Sequence, residues 1–215
     1  GTKLFDTPKP VPFIEDVVQI GAPSGGLVLD FFAGASTTAH AVMQLNAEDG
    51  CDRRFIMVQL PEPTPEDSEA RKAGFATIAE ISRRRIELAG AKIKADNVAA
   101  LASRETPLDT GFRAYTLADT HFAKWRVESS VTPTQLEQHL LDLRDSAADD
   151  ASADDLLTEL LLKLGYPLTA KIEAVDIAGL SVQRVAHDSF AGFLLAYVEE
   201  RNKPTLEQLR ALVDV

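Results

Sequence analysis

The chain has 215 residues, a formal net charge of -11, one cysteine and 45% hydrophobic side chains, the make-up of a globular chain that buries a core. No run approaches the roughly 18 apolar residues of a membrane span, and Gly1-Thr2-Lys3-Leu4-Phe5 offers no apolar stretch for a secretory signal. Lone Cys51 excludes a disulfide scaffold and a cysteine-based zinc site, the acidity excludes a surface that grips nucleic acid throughout, and together these features predict a cytoplasmic protein without membrane contact.

In chain order, the turn Pro23-Ser24-Gly25-Gly26 leads into Leu27-Val28-Leu29-Asp30-Phe31-Phe32. This unbroken apolar run predicts a parallel strand covered on both faces. Ala33–Ser36 reads as a loop and Thr37–Leu45 as a helix, with Asn46–Gly50 closing it. Arg54–Leu60 reads as a second strand, halted by Pro61 and Pro63. Strand, helix and strand at this spacing make a βαβ unit with a right-handed crossover. Pro63–Gly74 reads as a polar surface loop and Phe75–Ala89 as a helix carrying Arg83-Arg84-Arg85. Three successive helical residues splay over different faces, so a solvated or ion-paired cluster is expected there rather than a phosphate grip.

The second half has a different character. Gly111–Leu117 alternates and predicts a strand. Thr132-Pro133-Thr134-Gln135 has capping-box spacing and predicts a helix to about Arg144. Asp145–Asp155 is small and acidic, a connector or a helix start. Asp154–Leu164 is a leucine-rich amphipathic helix ended by Gly165 and Pro167. Lys171–Ile177 and Leu180–Val185 flank Ala178-Gly179 as a hairpin, and Thr205–Gln208 opens a short last helix. Residues 1–95 carry 11 basic and 13 acidic side chains, residues 96–215 carry 11 and 20. Pattern and charge therefore predict an α/β unit over 1–95 and a smaller, acidic α+β region over 96–215. No internal repeat is present.

Chemistry concentrates in Asp30-Phe31-Phe32-Ala33-Gly34-Ala35-Ser36-Thr37-Thr38. A parallel strand that ends in small residues lets backbone approach a ligand closely. The next helix then offers unpaired N–H groups and the positive end of its dipole to an anionic group. Gly34 supplies the approach, and Thr37 and Thr38 are expected to cap the helix and add hydroxyls. Ligands bind beyond the carboxyl ends of such strands. The segment is neither a G-x-G-x-x-G fingerprint nor a P-loop, and a plain structural turn is as common a use of it. His40, His121, His139 and His187 share no metal-like spacing and are expected in surface or capping roles.

With the upstream Phe5-Asp6-Thr7-Pro8-Lys9-Pro10 and the downstream Arg54-Phe55-Ile56-Met57-Val58-Gln59-Leu60-Pro61-Glu62, this segment resembles the S-adenosylmethionine-binding half of β-class amino-group DNA methyltransferases. More narrowly, the chain resembles the modification (Mod) subunits of type III restriction–modification systems, which methylate adenine N6. Ala41–Gly50, Ile81–Ile86, Asp109–Arg113 and Leu156–Gly165 carry the same resemblance, so it covers most of the chain. It implies a partial Rossmann-like sheet, S-adenosylmethionine as cofactor, and DNA, a second Mod copy and the restriction (Res) subunit as partners of the parent protein. It places Thr7, Pro8, Lys9 and Pro10 over the methionine end of the cofactor. It makes Asp30 to Gly34 the cofactor floor with Phe32 beside the ligand, followed by Ala35, Ser36, Thr37 and Thr38. One of Phe31 and Phe32 is expected to be core only. Where the class has an acidic ribose partner this chain has Gln59, with Glu62 just beyond, and the two remain alternatives.

The resemblance also implies an Asp-Pro-Pro-Tyr motif that binds the extruded adenine. No Pro-Pro occurs in the chain, and by class order the motif would precede residue 1. The chain also opens without Met on dense motif sequence. It is therefore expected to be a fragment, inactive by itself, with the later region serving interaction or oligomerisation. The rival expectations are a non-catalytic interaction module, to which Ser36 and Gln59 point because many relatives have Gly and an acid there, and half of a nucleotide-binding oxidoreductase.

Overall fold

A computed structural model describes residues 4–5, 7–122, 132–135, 151–199 and 202–215. The chain divides into two compact units, Gly1–Ala114 and Tyr115–Val215.

The first unit begins with helix α1 (Val11–Gly21). Pro10 and Pro12 start it, where missing N–H groups cost nothing. Strand β1 (Leu27–Asp30) follows, then α2 (Thr37–Asp49) and β2 (Arg54–Met57). The strands pair in parallel, with Leu27 opposite Arg54 and Asp30 opposite Met57, so the expected βαβ unit is present. Helix α2 is buried on most of its sides, by Ala39, Ala41, Val42, Met43, Leu45 and Ala47. It contributes to two cores, one with Val18 and Ala22 at α1, the other with Ile86, Ala89 and Ile93. Phe55 of β2 packs against both.

The strands differ from expectation in one respect. Side chains alternate, with Val28, Phe55 and Met57 inward and Leu27, Leu29 and Ile56 exposed. Helices of this unit cover one face of the sheet, not both. A continuous apolar run records only that both faces are apolar, and the second layer is not supplied by the described residues.

A short α3 (Glu69–Lys72), capped by Ser68, interrupts the expected polar loop. Helix α4 (Ile78–Asp96) starts later and runs further than its sequence pattern suggests. Thr77 and Glu80 form a reciprocal capping box at its start, a Thr-x-x-Glu signal legible in the sequence. After α5 (Val98–Ala102), Leu108 and Phe112 pack on the α2–α4 core, and Arg104 Nη1 donates to the Asn46 carbonyl at 2.6 Å. Residues 96–114, grouped by composition with the acidic half, thus belong by packing to the first unit. Gly111–Leu117 forms no strand. Of its apolar side chains, Phe112 is partly buried on the α2–α4 core, whereas Tyr115 and Leu117 are exposed.

In the second unit, Thr132 and Gln135 make the reciprocal bonds of the expected capping box. The remainder of that expected helix, with His139, lies outside the described residues, as does 145–150 of the acidic stretch. Helix α6 (Ala153–Lys163) carries a Ser152–Asp155 capping box, and Gly165 follows in left-handed conformation. Strands β3 (Lys171–Ile177) and β4 (Leu180–Ala186) form the expected hairpin. Its two turn residues, Ala178 and Gly179, both have positive φ (52° and 79°), the geometry that matches strand twist. A third strand, β5 (Leu194–Ala196), pairs antiparallel with β4, and α7 (Leu206–Val213) is capped by Thr205. Leu157 and Leu161 of α6 pack on Ala170 and Val185. No described helix is long and apolar enough to cross a membrane.

Candidate cofactor-binding site

The carboxyl ends of β1 and β2 lie side by side and lead into the loop that starts α2. Asp30, the last residue of β1, uses both carboxylate oxygens. One accepts the Phe32 N–H at 3.0 Å, and the other accepts the Thr38 hydroxyl at 2.7 Å. The strand end is thereby tied to the first turn of α2. On the β2 side, Val58 accepts the Ala33 N–H at 3.1 Å. Gln59 Oε1 accepts the Gly34 N–H at 2.7 Å, while its Nε2 donates to the Leu60 carbonyl.

Gly34 has φ +52°, and a Cβ built on it would lie 3.3 Å from the Phe5 ring. A side chain there meets both an unfavourable backbone conformation and a neighbour. Phe5 thus lies beside the loop, while Thr7, Pro8, Lys9 and Pro10 are exposed. Pro10 caps α1.

The remaining expected residues fall into two groups. Ala33, Ala35, Ser36 and Thr37 are buried, so their side chains shape the loop from beneath. Phe31 and Phe32 are 64% and 90% exposed, so neither is core, against the expectation for one of them. Both follow the last residue of β1, past the cover that the helices provide. Thr37 and Thr38 do not cap α2. Their hydroxyls are engaged by Arg85 and Asp30, and the N-cap residue is Ser36, with no side-chain capping bond. Glu62 is exposed beyond β2.

Pattern reading missed the contribution of α4. Arg85 Nη1 donates to Thr37 Oγ1 at 2.7 Å, and the Ser82 hydroxyl hydrogen-bonds to the Ser36 hydroxyl. Arg84 instead pairs with Glu87, so the arginines splay as expected and one of them reaches the loop. Nothing local marks Ser82 or Arg85, because the contacts span more than forty residues. His40, one turn into α2, is half-buried rather than on the surface. Burial, and then the charges of Arg85 and Lys92, push its imidazole below the usual range. Among the described residues no group of His, Cys, Asp or Glu is arranged to hold a metal ion.

Residues 1–89 match the N6/N4 family described as DNA methylase. Over that segment the chain belongs to this DNA methylase family. The chain is homologous to type III Mod subunits over most of its length. It is 42% identical over 147 residues to the type III restriction-modification enzyme StyLTI Mod subunit of Salmonella typhimurium, covering 68% of this chain and 20% of that protein. It is 39% identical over 181 residues to the EcoPI Mod subunit of Escherichia phage P1, covering 83% and 26%. Over 178 residues it is 35% identical to the EcoP15I Mod subunit of Escherichia coli, covering 83% and 24%. The chain thus spans about a quarter or less of the curated relatives it matches. The methylase match and the parallel βαβ unit agree with a Rossmann-like methyltransferase fold, to which the described residues contribute two parallel strands.

Proposed function

We propose that this chain is part of a type III modification methyltransferase, and that the loop between β1 and α2 holds S-adenosylmethionine. The parent protein transfers its methyl group to adenine N6 in DNA, with a second Mod copy and a Res subunit as partners. The observation that carries the reading is the glycine loop at the carboxyl ends of two parallel strands, fixed by Asp30 and Gln59, with two exposed phenylalanines directly after β1. The residues present fit such a molecule. Phe32 offers an aromatic face, exposed Glu62 a hydroxyl acceptor for the ribose, and the start of α2 a positive dipole end for a carboxylate. Lys9 and the two prolines beside it form a stiff, exposed segment able to close over the same loop. When bound, the cofactor supplies an electrophilic methyl group. The chain's own residues orient it and keep the loop rigid, so catalysis rests on positioning. The Asp-Pro-Pro-Tyr motif that would hold adenine is not in these 215 residues, and the reading therefore expects no methyl transfer to DNA from the chain by itself.

One arrangement favours a second reading, a non-catalytic module that keeps the scaffold. The Ser36 hydroxyl and both polar ends of Gln59 are spent on bonds within the chain. Titration calorimetry separates the two. The first reading expects S-adenosylmethionine and its demethylated product to bind the chain, and Gly34→Val to abolish both. Absence of heat with either ligand supports the scaffold reading and sinks the first. Methyl transfer to adenine-bearing DNA by the chain alone would overturn the expected inactivity.

A further inference from the structure

The end of the loop is held from outside its own strand–loop–helix unit. Ser36 has φ 54° and is fully buried. Glycine adopts this left-handed conformation freely, whereas a serine there persists only when its surroundings enforce it. Part of that enforcement is local, because the Ser36 N–H donates to the Ala33 carbonyl at 2.7 Å, and the rest comes from α4. The Ser82 hydroxyl bonds to the Ser36 hydroxyl, and Arg85, one turn further along α4, donates to Thr37 Oγ1 at 2.7 Å. Residues three apart share a helix face, so one face of α4 engages two consecutive residues where the loop becomes helix. The other end of the loop is fixed by Gln59 at Gly34. Between these two anchors lies Ala35, and the first turn of α2 follows directly.

We infer that Ser82 and Arg85 are positioning residues of the cofactor site. They help hold Ser36 left-handed and Thr37 in register, and so set the direction of the N–H groups at the start of α2. Affinity for the cofactor is therefore controlled in part from α4, by residues that do not touch the ligand. The inference rests on the cofactor reading above. A merely structural role for the same bonds would change stability and leave affinity alone.

The test is a double-mutant cycle on the full 215-residue chain, read by calorimetry with S-adenosylmethionine, by hydrogen exchange of the amides from Gly34 to Thr38, and by thermal melting. Ser82→Ala is expected to weaken binding about tenfold and to speed exchange in the loop, whereas in a Ser36→Gly background the same substitution costs less than about twofold, because glycine needs no brace. Arg85→Met keeps the packing of the stem and removes the donor. It is expected to weaken binding severalfold, and it carries the test if Ser82→Ala fails to fold. A lower melting temperature with unchanged affinity in both variants overturns the inference and leaves the cofactor reading standing. So does an equal loss for Ser82→Ala in the two backgrounds. Absence of binding by the unmodified chain overturns both together.

Discussion

At the scale of single residues, two buried or partly buried titratable groups tie stability to pH. His40 is held below the ordinary histidine value of 6.5 by burial first, then by Arg85 and Lys92. Below pH 6.5 the unfolded chain takes a proton that folded His40 refuses, so stability falls as the pH drops through that range. His40→Gln is expected to flatten this part of the profile, measured by urea unfolding between pH 7 and 5. In the second unit, Glu159 accepts bonds from the Thr120 hydroxyl, the His121 N–H and Lys163. Burial works to raise its carboxyl, and these bonds outweigh it and bring the value down to about 2. Its contribution is present above the ordinary value of 4.5 and is lost as pH falls through 2. Glu159→Gln at pH 7 is expected to cost about 1–3 kcal/mol, because bonds to a charged acceptor are replaced by weaker ones. An unchanged denaturation midpoint would contradict this account.

At the scale of elements, capping chemistry was readable and lateral cover was not. Thr132, Ser152 and Thr205 all make the reciprocal bonds that their spacing announces, since a capping box involves residues three apart. The β3–β4 turn was legible for the same local reason, yet it carries a strained choice. Ala178 sits at φ 52° next to Gly179. Ala178→Gly is expected to stabilise the second unit by about 0.5–1 kcal/mol, since relief of the left-handed penalty exceeds the added freedom of the unfolded chain. Thermal melting checks the sign. Gly111–Leu117 shows the opposite case, in which alternation alone made no strand because, among the described residues, no strand pairs with it. Helix α1 was not foreseen, although Pro10, Pro12 and the spacing of Ile14 and Val18 are helix signals.

At the scale of the whole molecule, the outer face of the β1–β2 sheet is the salient surface. Leu27, Leu29, Phe31, Ile56, Val58 and Leu60 are all exposed, although parallel sheets are normally covered on both sides. Contiguous apolar surface of this kind binds hydrophobic dyes. The chain is expected to enhance anilinonaphthalene sulfonate fluorescence, and Leu29→Lys with Ile56→Lys to reduce it without loss of helical circular dichroism. Equal fluorescence from both proteins would show that this face is covered in solution.

The sequence alone predicts the βαβ unit, the hairpin, the starts of α2, α6 and α7, and the resemblance to type III Mod subunits. Each rests on short-range pattern, namely residues within a turn of one another or a motif read in order. It also singled out the Asp30–Thr38 loop and the segment around Gln59. What those side chains do depends on packing. Gln59 holds Gly34, Asp30 holds Thr38, and α4 reaches back to Ser36 and Thr37. Most of these contacts join residues 25 or more apart in the chain, through polar side chains of common types. Which of them meet is fixed by how the helices pack on the sheet, and no local pattern records it.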